Sequence, residues 1–94
     1  MRNYEVVIIV NPELDETALT GVVDRVKSWI TDASGIVEKV DVWGKRRMTY
    51  IIRKQREGQY VLFQAQFAPA FAAELERNLR FLEPVIRFLI TAVE

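Results

Sequence analysis

"WGKRRMTYIIRKQREGQYVLFQAQF", residues 43–67, is the stretch on which the fold turns. After Gly44, the apolar Met48, Tyr50 and Ile52 alternate with Arg47, Thr49, Ile51 and Arg53, the period-two pattern of a strand with two unlike faces. "KQREGQ", residues 54–59, carries the polar and glycine chemistry of a hairpin turn. "YVLFQAQF", residues 60–67, returns with Val61, Phe63, Ala65 and Phe67 on one face. This is an antiparallel hairpin. Its first arm reaches back to Ile36, which makes residues 36–54 too long for one uninterrupted strand. Gly44 is the expected site of a bulge, because an inserted residue changes the face that the following side chains take.

Before the hairpin, "YEVVIIV", residues 4–10, is dense in β-branched residues and reads as a buried strand. "NPELDE" breaks it, and Asp15 and Glu16 suit the positive end of a helix dipole. Leu19, Val22, Val23, Val26, Trp29, Ile30 and Ala33 then form one helical stripe. Ser34-Gly35 closes that helix, with Gly35 expected in the left-handed cap conformation. Behind the hairpin, Pro69 opens a second helix with the stripe Phe71, Leu75, Leu79 and Leu82, and Glu83-Pro84 ends it. "VIRFLITAV", residues 85–93, is the last strand.

The order β-α-β-β-α-β, with a central hairpin between two helices of similar length, predicts an α+β, ferredoxin-like sandwich. Its four-stranded antiparallel sheet carries both helices on one face. The other face is then open. If Val6 and Ile8 point to the helices, Asn3, Glu5, Val7 and Ile9 point away, joined by Tyr60, Leu62, Gln64, Gln66, Arg87, Leu89 and Thr91. Val7, Ile9, Tyr60, Leu62 and Leu89 would form one apolar patch on adjacent strands, a feature that marks partner sites. The two central strands offer Tyr60 as their one outward aromatic, which favours a protein partner there over base stacking.

Ninety-four residues without an internal repeat fit a single domain spanning 1–94. Half the chain is apolar and 28% is charged, the composition of a folded chain. There is no cysteine for a disulfide or thiolate metal site, and no histidine to shuttle protons or ligate metal. Serines and threonines such as Ser28 and Thr17 have no partner to activate them, and four scattered glycines build no phosphate loop. Neither catalysis, nor a metal, nor a cofactor, nor a small-molecule substrate is expected. The first ten residues lack a signal-peptide pattern and no segment has the apolar length of a membrane span. A cytoplasmic location is expected.

Charge supplies the remaining signal. Thirteen basic and thirteen acidic residues leave the chain formally neutral, yet six of the bases lie between Lys45 and Arg56. The hairpin would bring Lys45, Arg46, Arg47, Arg53, Lys54 and Arg56 to one end and one edge of the molecule. Basic residues on outer strands also guard against edge-to-edge aggregation. The preference for arginine, whose planar fork suits phosphate, favours polyanion binding.

Three segments, "MRNYE", "WGKRRMTYIIRK…GQY" and "LERNLRFLEPVIRFLI", resemble the bacterial small-subunit ribosomal protein S6 family over nearly the whole chain. Where the family has Leu-Ala-Tyr, this chain has Met48-Thr49-Tyr50, which keeps an apolar inward and a small outward residue. Many family members carry a polar tail after the last strand, and the sequence here runs to Glu94. The resemblance implies the fold read above. It also implies a place on the ribosome, bound to the central domain of small-subunit ribosomal RNA together with ribosomal protein S18. Carried over by position, its RNA-contacting bases are Arg2, Lys45 to Arg47, Arg53, Lys54, Arg80 and Arg87. The alternatives are a non-catalytic ferredoxin-like regulatory or oligomerisation module, whose open face pairs with itself, and an acylphosphatase-like enzyme. The latter needs a basic anion loop after the first strand, where this chain has the acidic "NPELDE".

Overall fold

The computed structural model describes residues 1–52 and 55–93, with the side chains of 46–52 and 55–56 left aside. Six elements follow in order: β1 (Arg2–Val10), α1 (Glu16–Asp32), β2 (Ile36–Ile52), β3 (Gln55–Phe67), α2 (Pro69–Arg80) and β4 (Val85–Val93). The strands form a four-stranded sheet in the order β2-β3-β1-β4, every neighbouring pair antiparallel. This is the ferredoxin-like arrangement, with β1 at the centre between β3 and β4.

Strict alternation makes the core. Tyr4, Val6, Ile8 and Val10 of β1 and Val61, Phe63, Ala65 and Phe67 of β3 are all buried. Against them pack Leu19, Val22, Val23, Val26 and Ile30 of α1 and Phe71, Leu75 and Leu79 of α2. Both helices therefore cover the same face. Tyr4 stacks on Phe67 with ring centroids 4.2 Å apart, and Phe71 meets Phe67 edge-on. Burying aromatic area of this kind is the largest contribution a core this small can gather.

The helix ends follow from local chemistry. Asp15 caps α1, its carboxylate accepting from the Ala18 N–H at 2.8 Å. At the other end the left-handed residue is Ser34, with φ 65°, and not Gly35 as its residue type suggests. The Ser34 N–H donates to Thr31 O at 3.0 Å and the Gly35 N–H to Ile30 O at 2.8 Å, the paired bonds of a Schellman cap. In that motif the left-handed position is the one directly after the cap residue Ala33, so Ser34 takes it. Gly35 is required for space instead: a Cβ there would lie 2.7 Å from Gln66 O and 2.8 Å from Ile30 Cγ2. α2 starts at Pro69 without a side-chain cap and ends at Arg80, sooner than Glu83-Pro84 suggests. Leu82 lies beyond the helix but still packs against the core.

Two further departures concern the hairpin. Its turn is shorter than "KQREGQ", because β3 already begins at Gln55 and Ile52 pairs with Gln55. Gln59 is drawn into the strand by its own side chain. Buried, its Nε2 donates to Leu14 O at 3.0 Å and Asn11 O at 3.2 Å, tying the β1–α1 loop to β3. The second departure is that β2 is irregular at more points than Gly44. Gly44 does sit at a bulge, with φ 80°, where the register passes from Val42↔Val61 to Gly44↔Tyr60 and leaves Trp43 extra. A second bulge, at Glu38, lies between Val37↔Ala65 and Lys39↔Gln64. Among the described residues no helix is long and apolar enough to cross a membrane.

Candidate nucleic-acid and protein interface

The open face is assembled around β1, whose odd-numbered residues each sit between a partner on β3 and one on β4. Val7 lies between Leu62 and Leu89, and Ile9 between Tyr60 and Arg87. The five residues expected to meet a protein partner, Val7, Ile9, Tyr60, Leu62 and Leu89, are thus brought together on two adjacent rows. Beyond them the rows turn polar, with Glu5 between Gln64 and Thr91. Val7, Ile9, Tyr60, Arg87, Phe88 and Leu89 line a shallow hollow of about 220 Å³.

The five are not equally available. Leu89, on the outer strand, is 62% exposed, whereas Leu62 is only 9% exposed. Leu62 has Val7 on one side and Asp41 of β2 on the other, so a central strand shields it where an edge strand cannot. It belongs to the face by register and to the protein interior by accessibility.

Sequence reading missed the aromatic partner of Tyr60. The Trp43 ring stacks on Tyr60 with centroids 6.2 Å apart and planes 14° from parallel, and Trp43 remains 44% exposed. The signal was present in the bulge expected at Gly44: an inserted residue lets the neighbouring side chain leave strict alternation. Gly58 contributes at the same place. A Cβ on Gly58 would fall 2.3 Å from Ile9 Cγ2, so glycine is what allows Ile9 its position beside Tyr60. The three residues of "GQY" thus provide, in turn, space for Ile9, an anchor for the β1–α1 loop and the ring under Trp43.

The basic residues are distributed less evenly than the patch. Lys45 is exposed and pairs with Gln59, and the backbone continues with Arg46↔Gly58 and Arg47↔Glu57 beyond the end of β1. Val10, the last residue of β1, pairs with Gln59, so β2 and β3 continue toward Ile52 and Gln55 without β1 beside them. Arg53 and Lys54 lie outside the described residues, as do the side chains of Arg46, Arg47 and Arg56. Arg87, opposite Ile9, stands near the same end of the sheet. Arg80 lies on the helix layer, where its guanidinium donates to the Glu76 carboxylate at 2.8 Å, an exposed pair of little energetic consequence. Arg2 pairs with Phe67 at the far end of β1, roughly 23 Å from Ile9 at strand rise. Of the expected RNA-contacting residues whose side chains are described, Lys45 and Arg87 lie toward one end of the sheet, with Arg2 and Arg80 apart from them.

Comparison with known proteins places this geometry among relatives. The family model described as Ribosomal protein S6 matches residues 3–92. The small ribosomal subunit protein bS6 of Moorella thermoacetica is 52% identical over 94 residues, covering 100% of this chain and 96% of the relative. That of Heliobacterium modesticaldum is 44% identical over 90 residues, covering 96% and 94%. The crystal structure of 30S ribosomal protein S6 from Thermotoga maritima matches with a TM-score of 0.92 at 30% identity, covering 98% of this chain and 87% of that one.

Proposed function

This chain belongs to the ribosomal protein S6 family, a structural and non-enzymatic component of the small ribosomal subunit in the bacterial cytoplasm, and on that premise we propose how it is held there. The basic arm from Lys45 to Arg56 lies against the phosphate backbone of the central domain of small-subunit ribosomal RNA. The open sheet face, through Val7, Ile9, Tyr60 and Leu89 with Leu62 buried between them, docks ribosomal protein S18.

One observation carries the reading. A chain of zero formal charge gathers its basic run on the hairpin whose described strands continue past the end of β1, and its helices leave the other, partly apolar face of the sheet uncovered. The two surfaces suit different partners. Cations on a hairpin reach a backbone more readily than the buried edges of bases, so their contacts position the protein without reading sequence. The apolar hollow has no such charge requirement and gains from excluding water.

The test is RNA affinity at several salt concentrations, with the partner protein saturating. Each phosphate contact releases counterions, so binding weakens steeply with salt. Changing Arg46 and Arg47 together to Ala should cost about 1–3 kcal/mol and flatten the slope of log K against log[salt] by about 1 to 2 units. The thermal midpoint should hardly move, because exposed charges on an outer strand add little stability. Unchanged affinity together with an unchanged slope would reduce the arm to an edge protected against aggregation.

A further inference from the structure

We infer that β4 is a docking edge for a second copy of this chain, joined strand to strand through Arg87–Val93, independently of the RNA and S18 reading above. The observation behind it is a difference between the two edges of the sheet. In the order β2-β3-β1-β4, both β2 and β4 are outer strands, with backbone N–H and C=O groups along a free side. β2 is guarded. Bulges at Glu38 and Trp43 interrupt its ladder, and Glu38, Lys39, Asp41 and Lys45 set charges along it. β4 has no such guards between Arg87 and Val93. That run pairs with β1 in unbroken register from Ile9↔Arg87 to Asn3↔Val93, and Arg87 is its one charge. The irregularity in β4 comes before the run, where Ile86 is extra and the Val85 N–H donates to Leu82 O at 2.9 Å.

A regular apolar edge is a template for another strand. Antiparallel pairing is two-fold symmetric, so a run can pair with its own copy. One register uses the whole of this run, with the axis at Ile90. It sets Ile90 opposite Ile90 of the second copy, Leu89 opposite Thr91, Phe88 opposite Ala92 and Arg87 opposite Val93. Residues opposite one another share a face. In both copies Leu89 and Thr91 then stay on the open face, and Phe88, Ile90 and Ala92 stay on the helix side, where their β1 partners already place them. Large residues meet smaller ones and no like charges are opposed, the conditions under which cross-strand pairs stabilise.

Charge and layering fit a second copy as the occupant. A two-fold axis normal to the sheet leaves both helix layers on the same side and joins the two sheets into one of eight strands. α2 is the helix that packs on β4, and its Glu74, Glu76, Arg77 and Arg80 balance, so two copies of it side by side carry no net charge to repel. A highly charged peptide strand would find no counter-charges along a run that is apolar or neutral from Phe88 to Val93. A second copy brings the same uncharged residues and covers Leu89, which is exposed in the single chain. Pairing along one edge buries less than about 1,200 Å², the class of weak and reversible contacts. The dimer is therefore a state of the concentrated free chain.

The experiment is sedimentation equilibrium of the full chain over a range of concentrations, without RNA or S18. The unchanged chain should show a reversible monomer–dimer equilibrium, and amide exchange from Phe88 to Ala92 should slow as concentration rises. Leu89→Lys with Thr91→Lys, both at exposed positions, should weaken association at least about tenfold with the thermal midpoint retained. Leu89→Glu with Thr91→Glu should do the same. Mixing the lysine pair with the glutamate pair should restore association, because the register sets residue 89 of one copy opposite residue 91 of the other. Val42→Lys, on the β2 edge, should leave association unchanged. A chain that stays monomeric at every concentration overturns the inference. So does a dimer that survives the lysine pair, that the mixture fails to restore, or that Val42→Lys breaks instead. Slowed exchange from Phe88 to Ala92 on adding S18, with none on raising concentration, would likewise overturn it and assign the edge to the protein partner.

Discussion

The two faces of the sheet are made by the same strands, often by consecutive residues, and yet they obey different rules. On β3, Phe63 lies under the helices with no exposure, and Leu62, one residue earlier, lies on the open face at 9%. On β4, Leu89 faces the same open side and is 62% exposed. The helix-covered face is sealed by the helix layer over the two central strands, although at the edge strand β2 Val42, opposite buried Val61, is still 54% exposed. On the open face only lateral neighbours can exclude water, and their number falls from the central strands to the edge. Burial there is graded across the sheet. An apolar residue under the helices on a central strand is held for stability, and one on the open face at the outer edge is available to a partner.

Three substitutions would break or sharpen that contrast. The largest effect is expected from Phe63→Ala, which leaves a cavity between sheet and helices and should cost about 3–5 kcal/mol in urea unfolding. A loss under about 1 kcal/mol would mean that the helix layer can collapse into the gap and that the covered face is less tightly sealed than its accessibility implies. Leu62→Asp should fall in between, at roughly 1–3 kcal/mol, since a carboxylate would be largely withdrawn from water without a compensating partner. An effect as large as that of Phe63→Ala would make the two faces energetically alike. Leu89→Asp should change the unfolding free energy by no more than about 0.5 kcal/mol, within the range of surface substitutions. It should nevertheless weaken association with S18, because a charge desolvated in an interface is costly. Destabilisation of the free chain by Leu89→Asp would show that this residue already has structural cover.

Much of this was legible beforehand. The alternation in "YVLFQAQF" assigned the faces of β3 correctly, because a period of two admits only one way to bury such residues, whereas the unbroken apolar run in "YEVVIIV" left the faces of β1 conditional until Val6 and Ile8 were seen under the helices. The stripe from Leu19 to Ile30 and the proline at residue 69 placed both helices for similarly local reasons. What escaped was set by contacts between distant segments. The left-handed residue after α1 is dictated by position in the cap, and a glycine next door attracted the assignment because its second role, close approach to Gln66 of β3, is invisible in sequence. Gln59 reads as a turn residue until the carbonyls of Asn11 and Leu14 are beside it. Trp43 gave no sign of meeting Tyr60, since a bulge can be suspected from a glycine but the register it produces depends on the opposing strand.

The sequence by itself determined the order of elements, the inward side of β3, the concentration of positive charge in one hairpin and the absence of cysteine and histidine. Those properties are carried by composition and by spacing along one chain, and no folding is required to count them. The tertiary structure alone decided which open-face residues stay accessible, how Trp43 and Tyr60 came to stack, and that β2 and β3 run on past the end of β1. Each of these depends on which residues two strands far apart in sequence set opposite one another. A bulge at one residue shifts that pairing for all that follow.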